Sequence, residues 1–290
     1  MIDPEFISFA EGRIAALSWG QSQAPVWLAL HGWLDNAASF SRLAPRLAES
    51  LDIRVVAIDF AGHGMSRHAC AGDYAIWDYV HDVLDALDEL GVESAPLLGH
   101  SMGAGVACLV AAALPERVDR LLLVDGLGTL TTAADETAKQ LRKGVLKHRR
   151  IGSRPPRYPD KATAVAARVA GGVTAMDTET AEPLVARNLA YEEDGHWRLR
   201  SDGRLLQPSP VRFTPEQMLA LLSSIEASIL LVEAETGILA HHEAAPTARA
   251  ALKKLTRIVL PGGHHLHLEP TSVPRVASVM VDWYRESMMT

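Results

Sequence analysis

A chain of 290 residues, 48% of them hydrophobic, is long enough for one large α/β core or a core with an insertion, and it shows no internal repeat or disordered segment. Its net charge of −7 gives no reason to expect nucleic acid as a partner, and its longest apolar run, residues 104–114, is too short to span a bilayer. Two cysteines, Cys70 and Cys108, provide neither a disulfide framework nor a metal cluster; acids at Asp3 and Glu5 with no basic stretch make a signal peptide unexpected and the cytoplasm the expected compartment.

Residues 6–9 and 13–19 read as short strands joined by a turn at Glu11-Gly12. Val26–Leu30 is unbroken apolar sequence, as expected for a parallel strand covered on both faces, and it runs directly into His31-Gly32-Trp33. Asp35 or Asn36 can cap the helix that follows, which carries Phe40, Leu43 and Leu47 and whose start Pro45 distorts. Arg54–Ile58 is the next strand; it ends at Asp59, whose carboxylate is suited to holding the glycine-rich loop through Gly62 and Gly64. A helix is expected over 74–90, with Trp77, Val80, Val83, Leu84, Leu87 and Leu90 on one face and Gly91 closing it. A strand at 94–98, a helix at 104–113 stopped by Pro115, and the strand Val118–Val124 ending on Asp125 complete a doubly wound pattern.

From residue 126 the rhythm changes. Helical segments at 132–148, 161–169 and 178–189 alternate with loops, followed by a Gly- and Pro-rich stretch at 194–210. Six Lys or Arg and no acid fall within 139–150, a pattern read as a solvated helix face rather than an anion site. The sheet pattern then resumes with a helix at 215–222, strands at 228–232 and 257–260, and a terminal helix at 272–288. The expected organisation is a mostly parallel central sheet with helices on both faces: residues 1–126 form the first part of the core, 127–215 a mainly helical lid over the carboxyl ends of the strands, and 216–290 the second part.

The chemistry concentrates at Gly99-His100-Ser101-Met102-Gly103. A serine between glycines, strand before and helix after, is a nucleophile elbow, a turn so tight that it pushes the Ser101 hydroxyl out of the backbone. Serine needs a base within hydrogen-bond reach, and the base needs an acceptor that fixes its tautomer. His264 is the best base, because it follows a strand directly and two glycines free the backbone to aim it; His265 and His267 are weaker candidates, and His100 suits packing or hydrogen bonding. The oxyanion donors expected are the backbone N–H groups of Met102, next after the nucleophile, and of Trp33, in the loop after the Val26–Leu30 strand; His31 and Gly32 brace that loop, and the Trp33 ring either lines the acyl pocket or packs.

Together the His31-Gly32-Trp33 loop, residues 59–66, the elbow and Gly263-His264 resemble the lidded α/β-hydrolase superfamily in kind, order and separation. Residues 31–40 (HGWLDNAASF) with 59–68 (DFAGHGMSRH) resemble its serine hydrolase-like branch more narrowly. The resemblance implies hydrolysis of carboxylic esters, thioesters, lactones or amides, and Ser101 disfavours the epoxide and halide chemistry of relatives with Asp at the elbow. Many relatives carry the triad acid shortly after the strand equivalent to 228–232, where this chain has Gly237. Asp125, at the end of the strand that follows the nucleophile helix, is the expected replacement, as in some superfamily members; Glu235 is the alternative acid, and Glu269 is expected to cap the last helix or tie down the His264 loop. The reading is a serine hydrolase acting on a small-molecule acyl substrate through Ser101, His264 and Asp125, with no metal or organic cofactor required. Its rivals are a non-catalytic binding or regulatory protein on the same fold, kept open by the missing conventional acid, and a C–C hydrolase or lyase using the same residues. Oligomeric state is not legible.

Overall fold

The computed structural model describes residues 3–70, 72–149, 156–172 and 174–288. The first strands are β1 (Glu5–Phe9), β2 (Ile14–Trp19) and β3 (Val26–Leu30), then α1 (Ala44–Leu51), β4 (Arg54–Ile58), α2 (Tyr79–Glu89), β5 (Ala95–His100), α3 (Met102–Ala113) and β6 (Val118–Val124). A long segment follows with α4 (Thr137–His148), β7 (Arg157–Tyr158), α5 (Lys161–Gly171), α6 (Thr178–Asn188), β8 (Leu189–Tyr191), β9 (Trp197–Leu199) and α7 (Pro215–Ser224). The chain then returns through β10 (Ser228–Ala234), α8 (Ala245–Ala251), β11 (Leu255–Leu260) and α9 (Val273–Ser287).

Eight strands form one sheet in the order β1-β2-β4-β3-β5-β6-β10-β11, antiparallel at the β1-β2-β4 edge and parallel from β4 onward. Alternation along the central strands divides the core between the two faces. Leu28, Leu30, Leu97, Leu121 and Leu123 join one cluster with Val83 and Leu87 of α2 and Val106 and Val110 of α3. Trp27, Ala29, Leu98, Leu122 and Val124 join the other, with Leu47 of α1 and Val276 and Met280 of α9. After β3 the chain turns to β4 on one side and comes back to β5 on the other, so the carboxyl ends of β3 and β5 flank a topological switch, the place where open α/β sheets bind ligands. Among the described residues no helix is long and apolar enough to cross a membrane.

Several elements differ from expectation. The helix expected after Trp33 is split: Asn36 caps a 3-10 turn, Ala37–Phe40, by accepting from Ala38 N at 3.1 Å, and α1 starts separately with Pro45 in its first turn. The helix expected from 74 begins only at Tyr79, because Tyr74 is held by its hydroxyl, which donates to Asp202 Oδ2 at 2.7 Å and accepts from Ala69 N at 3.0 Å. In the segment between β6 and β10, the strands β7, β9 and β8 form a small antiparallel sheet; at two or three residues each, they are too short to show alternation in sequence. Helix α8 was not anticipated. The basic stretch lies on α4, where Gly144 alone is buried, so it is a solvated face as expected; Arg150 lies outside the described residues.

Candidate active site

Strand β5 and helix α3 meet at Ser101, whose φ of 51° and ψ of −113° place a non-glycine residue in strained backbone. The glycines beside it permit close approach: a Cβ on Gly99 would lie 2.6 Å from Ala104 Cα, and one on Gly103 would overlap the Leu30 carbonyl. Ser101 N donates to Val124 O at 3.1 Å, and Ala104 N and Gly105 N donate to Ser101 O at 3.1 and 3.2 Å, so the turn is held from both sides. Met102 opens α3, so its N–H belongs to the helix's set of donors without an intrahelical acceptor.

The loop after β3 makes a turn in which Asp35 N donates to Gly32 O at 3.1 Å, with Leu34 at a φ of 62°. His31 braces this turn from below. Its Nδ1 donates to Gly32 O at 2.7 Å and its Nε2 accepts from Phe60 N at 3.0 Å; burial pushes this imidazole down to about 4 and keeps it neutral, as that pattern requires. Trp33 is half-exposed, and its Nε1 donates to Leu205 O at 3.0 Å, so the indole is tied to the β6–β10 segment.

His264 enters on the loop after β11. Gly263 N donates to the Glu269 carboxylate at 2.9 and 3.2 Å and Ser272 Oγ donates to Glu269 Oε2 at 3.0 Å, so Glu269 ties this loop to the start of α9. His264 Nδ1 lies 2.6 Å from Asp125 Oδ2. The carboxylate accepts from Nδ1–H, which leaves Nε2 with the lone pair. Asp125 is fully buried, and its oxygens also accept from Ala234 N at 3.3 Å and Ile238 N at 2.8 Å, across the end of β10. Glu235, the other acid considered, carries an exposed side chain.

Behind these loops lies a group of buried imidazoles. His100 Nε2 lies 3.0 Å from His264 O, and the His100 ring centroid is 4.6, 5.0 and 4.1 Å from those of His264, His265 and His267. Burial pushes His100 and His267 well below the ordinary imidazole range, and neighbouring histidines add to it, so both are neutral. His267 packs against His100 and has its Nε2 2.7 Å from Ser39 Oγ.

Sequence reasoning missed the buried ion pairs that bind the β6–β10 segment to these loops. Asp35 Oδ1 accepts from Arg168 Nη2 at 3.0 Å, and Asp35 Oδ2 lies 3.1 Å from His265 Nε2. Burial alone would raise the Asp35 carboxyl, but His265 and Arg168 outweigh it and hold the group below the usual carboxylate range. Asp59 Oδ2 accepts from Met65 N at 2.8 Å, as its loop-holding role requires; Asp59 also accepts from Ala37 N at 2.7 Å and from Arg187 Nε at 3.1 and 3.0 Å. No spacing rule could have paired these residues, which lie 133 and 128 positions apart.

Comparison with known proteins agrees with this architecture. The family described as alpha/beta hydrolase fold matches residues 25–271. A serine hydrolase-like protein of Dictyostelium discoideum is 34% identical over 89% of this chain and 75% of its own length, and serine hydrolase-like protein 2 of Homo sapiens is 29% identical over 92% and 90%. Among solved structures, a hypothetical protein from Pseudomonas aeruginosa PAO1 superposes with a TM-score of 0.86 at 41% identity, covering 98% of this chain and 100% of that one. A thioesterase domain from the curacin biosynthetic pathway superposes with a TM-score of 0.81 at 26% identity, covering 97% and 99%. The chain belongs to the α/β-hydrolase fold family, a family of hydrolases, and within it to the serine hydrolase-like branch.

Proposed function

We propose that this protein is a serine hydrolase that cleaves a small carboxylic ester or related acyl compound through Ser101, His264 and Asp125. The observation that carries the proposal is the 2.6 Å contact between His264 Nδ1 and the buried Asp125 carboxylate, at the mouth of the sheet where the Ser101 elbow emerges. In this reading residues 127–215 act as the lid that shapes the pocket between core parts 1–126 and 216–290, and the Trp33–Leu205 hydrogen bond supports contact between lid and oxyanion loop.

The reaction follows from these positions. His264 Nε2 takes the Ser101 proton as Oγ attacks the acyl carbon, and the developing oxyanion accepts from the N–H groups of Trp33 and Met102. Each such donor is worth roughly 3 kcal/mol in the transition state. His264 then passes its proton to the leaving alcohol or thiol, giving an acyl-serine. Water, deprotonated by His264, attacks that ester; Ser101 regains its proton and the carboxylic acid leaves. Asp125 holds the imidazole tautomer and stabilises the imidazolium.

A panel of p-nitrophenyl esters and acyl thioesters of two to ten carbons tests this directly; thioesters are included because one structural neighbour is a thioesterase domain. Turnover that disappears in Ser101→Ala, with an acyl adduct on Ser101 detected by mass, is the expected result. A folded wild-type protein that neither turns over nor acylates with any member would overturn it.

A further inference from the structure

Asp35 on the loop after β3, His100 at the end of β5 and His265 on the loop after β11 are far apart in sequence, yet one ligand atom of each lies within 4.8 Å of the other two, and all three residues are buried. Asp35 Oδ2 is 3.1 Å from His265 Nε2 and 3.6 Å from His100 Nδ1. Around a tetrahedral ion with nitrogen and oxygen ligands at ~2.0–2.1 Å, neighbouring ligand atoms stand about 3.3 Å apart, between those two separations.

The tautomers point the same way. His100 Nε2 faces the His264 carbonyl at 3.0 Å, and only a donor satisfies a carbonyl, so in the neutral ring Nδ1 carries the lone pair. That lone pair is turned toward Asp35 Oδ2; His100 Nδ1 has no hydrogen-bond partner among the described residues, and the ring is fully buried. Two acceptors facing each other away from water are mutually unfavourable, and a shared cation relieves both. In the ion-free fold His265 Nε2 stands within hydrogen-bond distance of Asp35 Oδ2, and an entering ion replaces the proton shared there; His265 Nδ1 lacks a partner among the described residues, so that proton moves to Nδ1 and frees Nε2 as a ligand.

We propose that Asp35 Oδ2, His100 Nδ1 and His265 Nε2 form a binding site for a divalent transition-metal ion of the Zn2+ class. One carboxylate and two imidazoles suit such an ion and not Mg2+ or Ca2+, which take oxygen ligands. The ion takes no step in hydrolysis. Its effect comes from where its ligands sit: His100 precedes Ser101, His265 follows His264, and Asp35 lies two residues beyond Trp33. An ion bound there ties the end of β5 to the two loops from behind and slows acylation of Ser101, a consequence that rests on the hydrolase reading, whereas binding itself does not. Arg168 donates to the other Asp35 oxygen at 3.0 Å, and its charge opposes a second cation, so Arg168→Gln tightens the site.

The test is calorimetric titration of the chelator-treated full chain with Zn2+, in a His241→Gln/His242→Gln background that removes an exposed histidine pair. The expected result is about one ion per chain, with affinity at least ~10-fold weaker in His265→Gln and stronger in Arg168→Gln. Cu2+ bound to the same background is expected to show magnetic coupling to two nitrogens, a readout that needs no ligand variant to fold. No stoichiometric binding, undiminished affinity in a folded His265→Gln, or coupling to fewer than two nitrogens would overturn the site. Fluorophosphonate labelling with and without Zn2+ separates the two claims: a chain that binds one ion but never labels contradicts the hydrolase reading alone, while labelling that one bound ion does not slow contradicts the restraint.

Discussion

The Asp125 carboxylate occupies the space that a side chain at position 237 would need: a Cβ added to Gly237 would collide with Cγ and both carboxylate oxygens of Asp125. An acid on the β6 loop and a side chain on the β10 loop exclude each other. Position 237 therefore takes glycine for a steric reason, the Asp125 carboxylate filling the space a side chain there would need.

This exclusion predicts a transplant. Asp125→Asn keeps the shape and removes the charge, and hydrolysis is expected to fall by about 10³- to 10⁴-fold. Gly237→Asp alone is expected to destabilise the fold and reduce activity. Combined with Asp125→Gly, it is expected to recover at least ~10-fold over Asp125→Gly alone, because the space is then vacant and an acid again reaches His264. Steady-state rates on a p-nitrophenyl ester measure this, and additive losses in the double variant would contradict it.

The elbow stores strain that can be released. Ser101 sits at a φ of 51°, which glycine adopts without penalty. Ser101→Gly is expected to raise the free energy of unfolding by about 1 kcal/mol while abolishing acylation, and urea denaturation of the two proteins measures the difference.

Asp59 and Arg187 form a buried clamp between the glycine-rich loop and α6, with side chains 0% and 5% exposed. Removing the cation leaves a carboxylate buried with, among the described residues, the Ala37 and Met65 N–H groups as its remaining hydrogen-bond donors. Arg187→Met is expected to cost roughly 3 kcal/mol, and Asp59→Asn in the same chain to restore part of it. Thermal and denaturant unfolding of the four proteins in that cycle measure the coupling; equal stability of Arg187→Met and wild type would contradict it.

Acid is expected to destabilise the fold through His31 and His63. Burial pushes His31 down to about 4, and burial followed by the charge of His31 pushes His63 down to about 3, against 6.5 for an exposed imidazole. Between pH 6.5 and those values the unfolded chain binds protons that the folded chain refuses, so stability is full above about 6.5 and is lost as pH falls. Unfolding free energy measured from pH 7.5 to 4.5 is expected to drop in wild type and to drop less steeply in His63→Asn.

Legibility in the sequence followed the range of the interactions. The parallel core was readable because β3 is a continuous apolar run and β4 and β6 end in one, at residues 55–58 and 121–124, and the elbow because glycine is required on both sides of Ser101 by close approach. The meeting of His264 with Asp125 was approachable through chain order and the glycine at 237. The anchors Asp35–Arg168 and Asp59–Arg187 were not, since each joins residues more than a hundred positions apart with no local signature. Asp35 and Asn36 read as alternative helix caps; Asn36 takes that role, while Asp35 is buried with Arg168 and His265. The histidines at 264, 265 and 267 read as competitors for one role; in the fold they hold three different sets of partners.

The most direct test of the central claim is the rate at which a fluorophosphonate labels wild type, Ser101→Ala and Asp125→Asn under native conditions. An activated serine oriented through His264 and Asp125 predicts labelling of wild type, none in Ser101→Ala, and labelling at least ~100-fold slower in folded Asp125→Asn. Wild-type protein that stays unlabelled, or Asp125→Asn that labels as fast as wild type, would contradict the account.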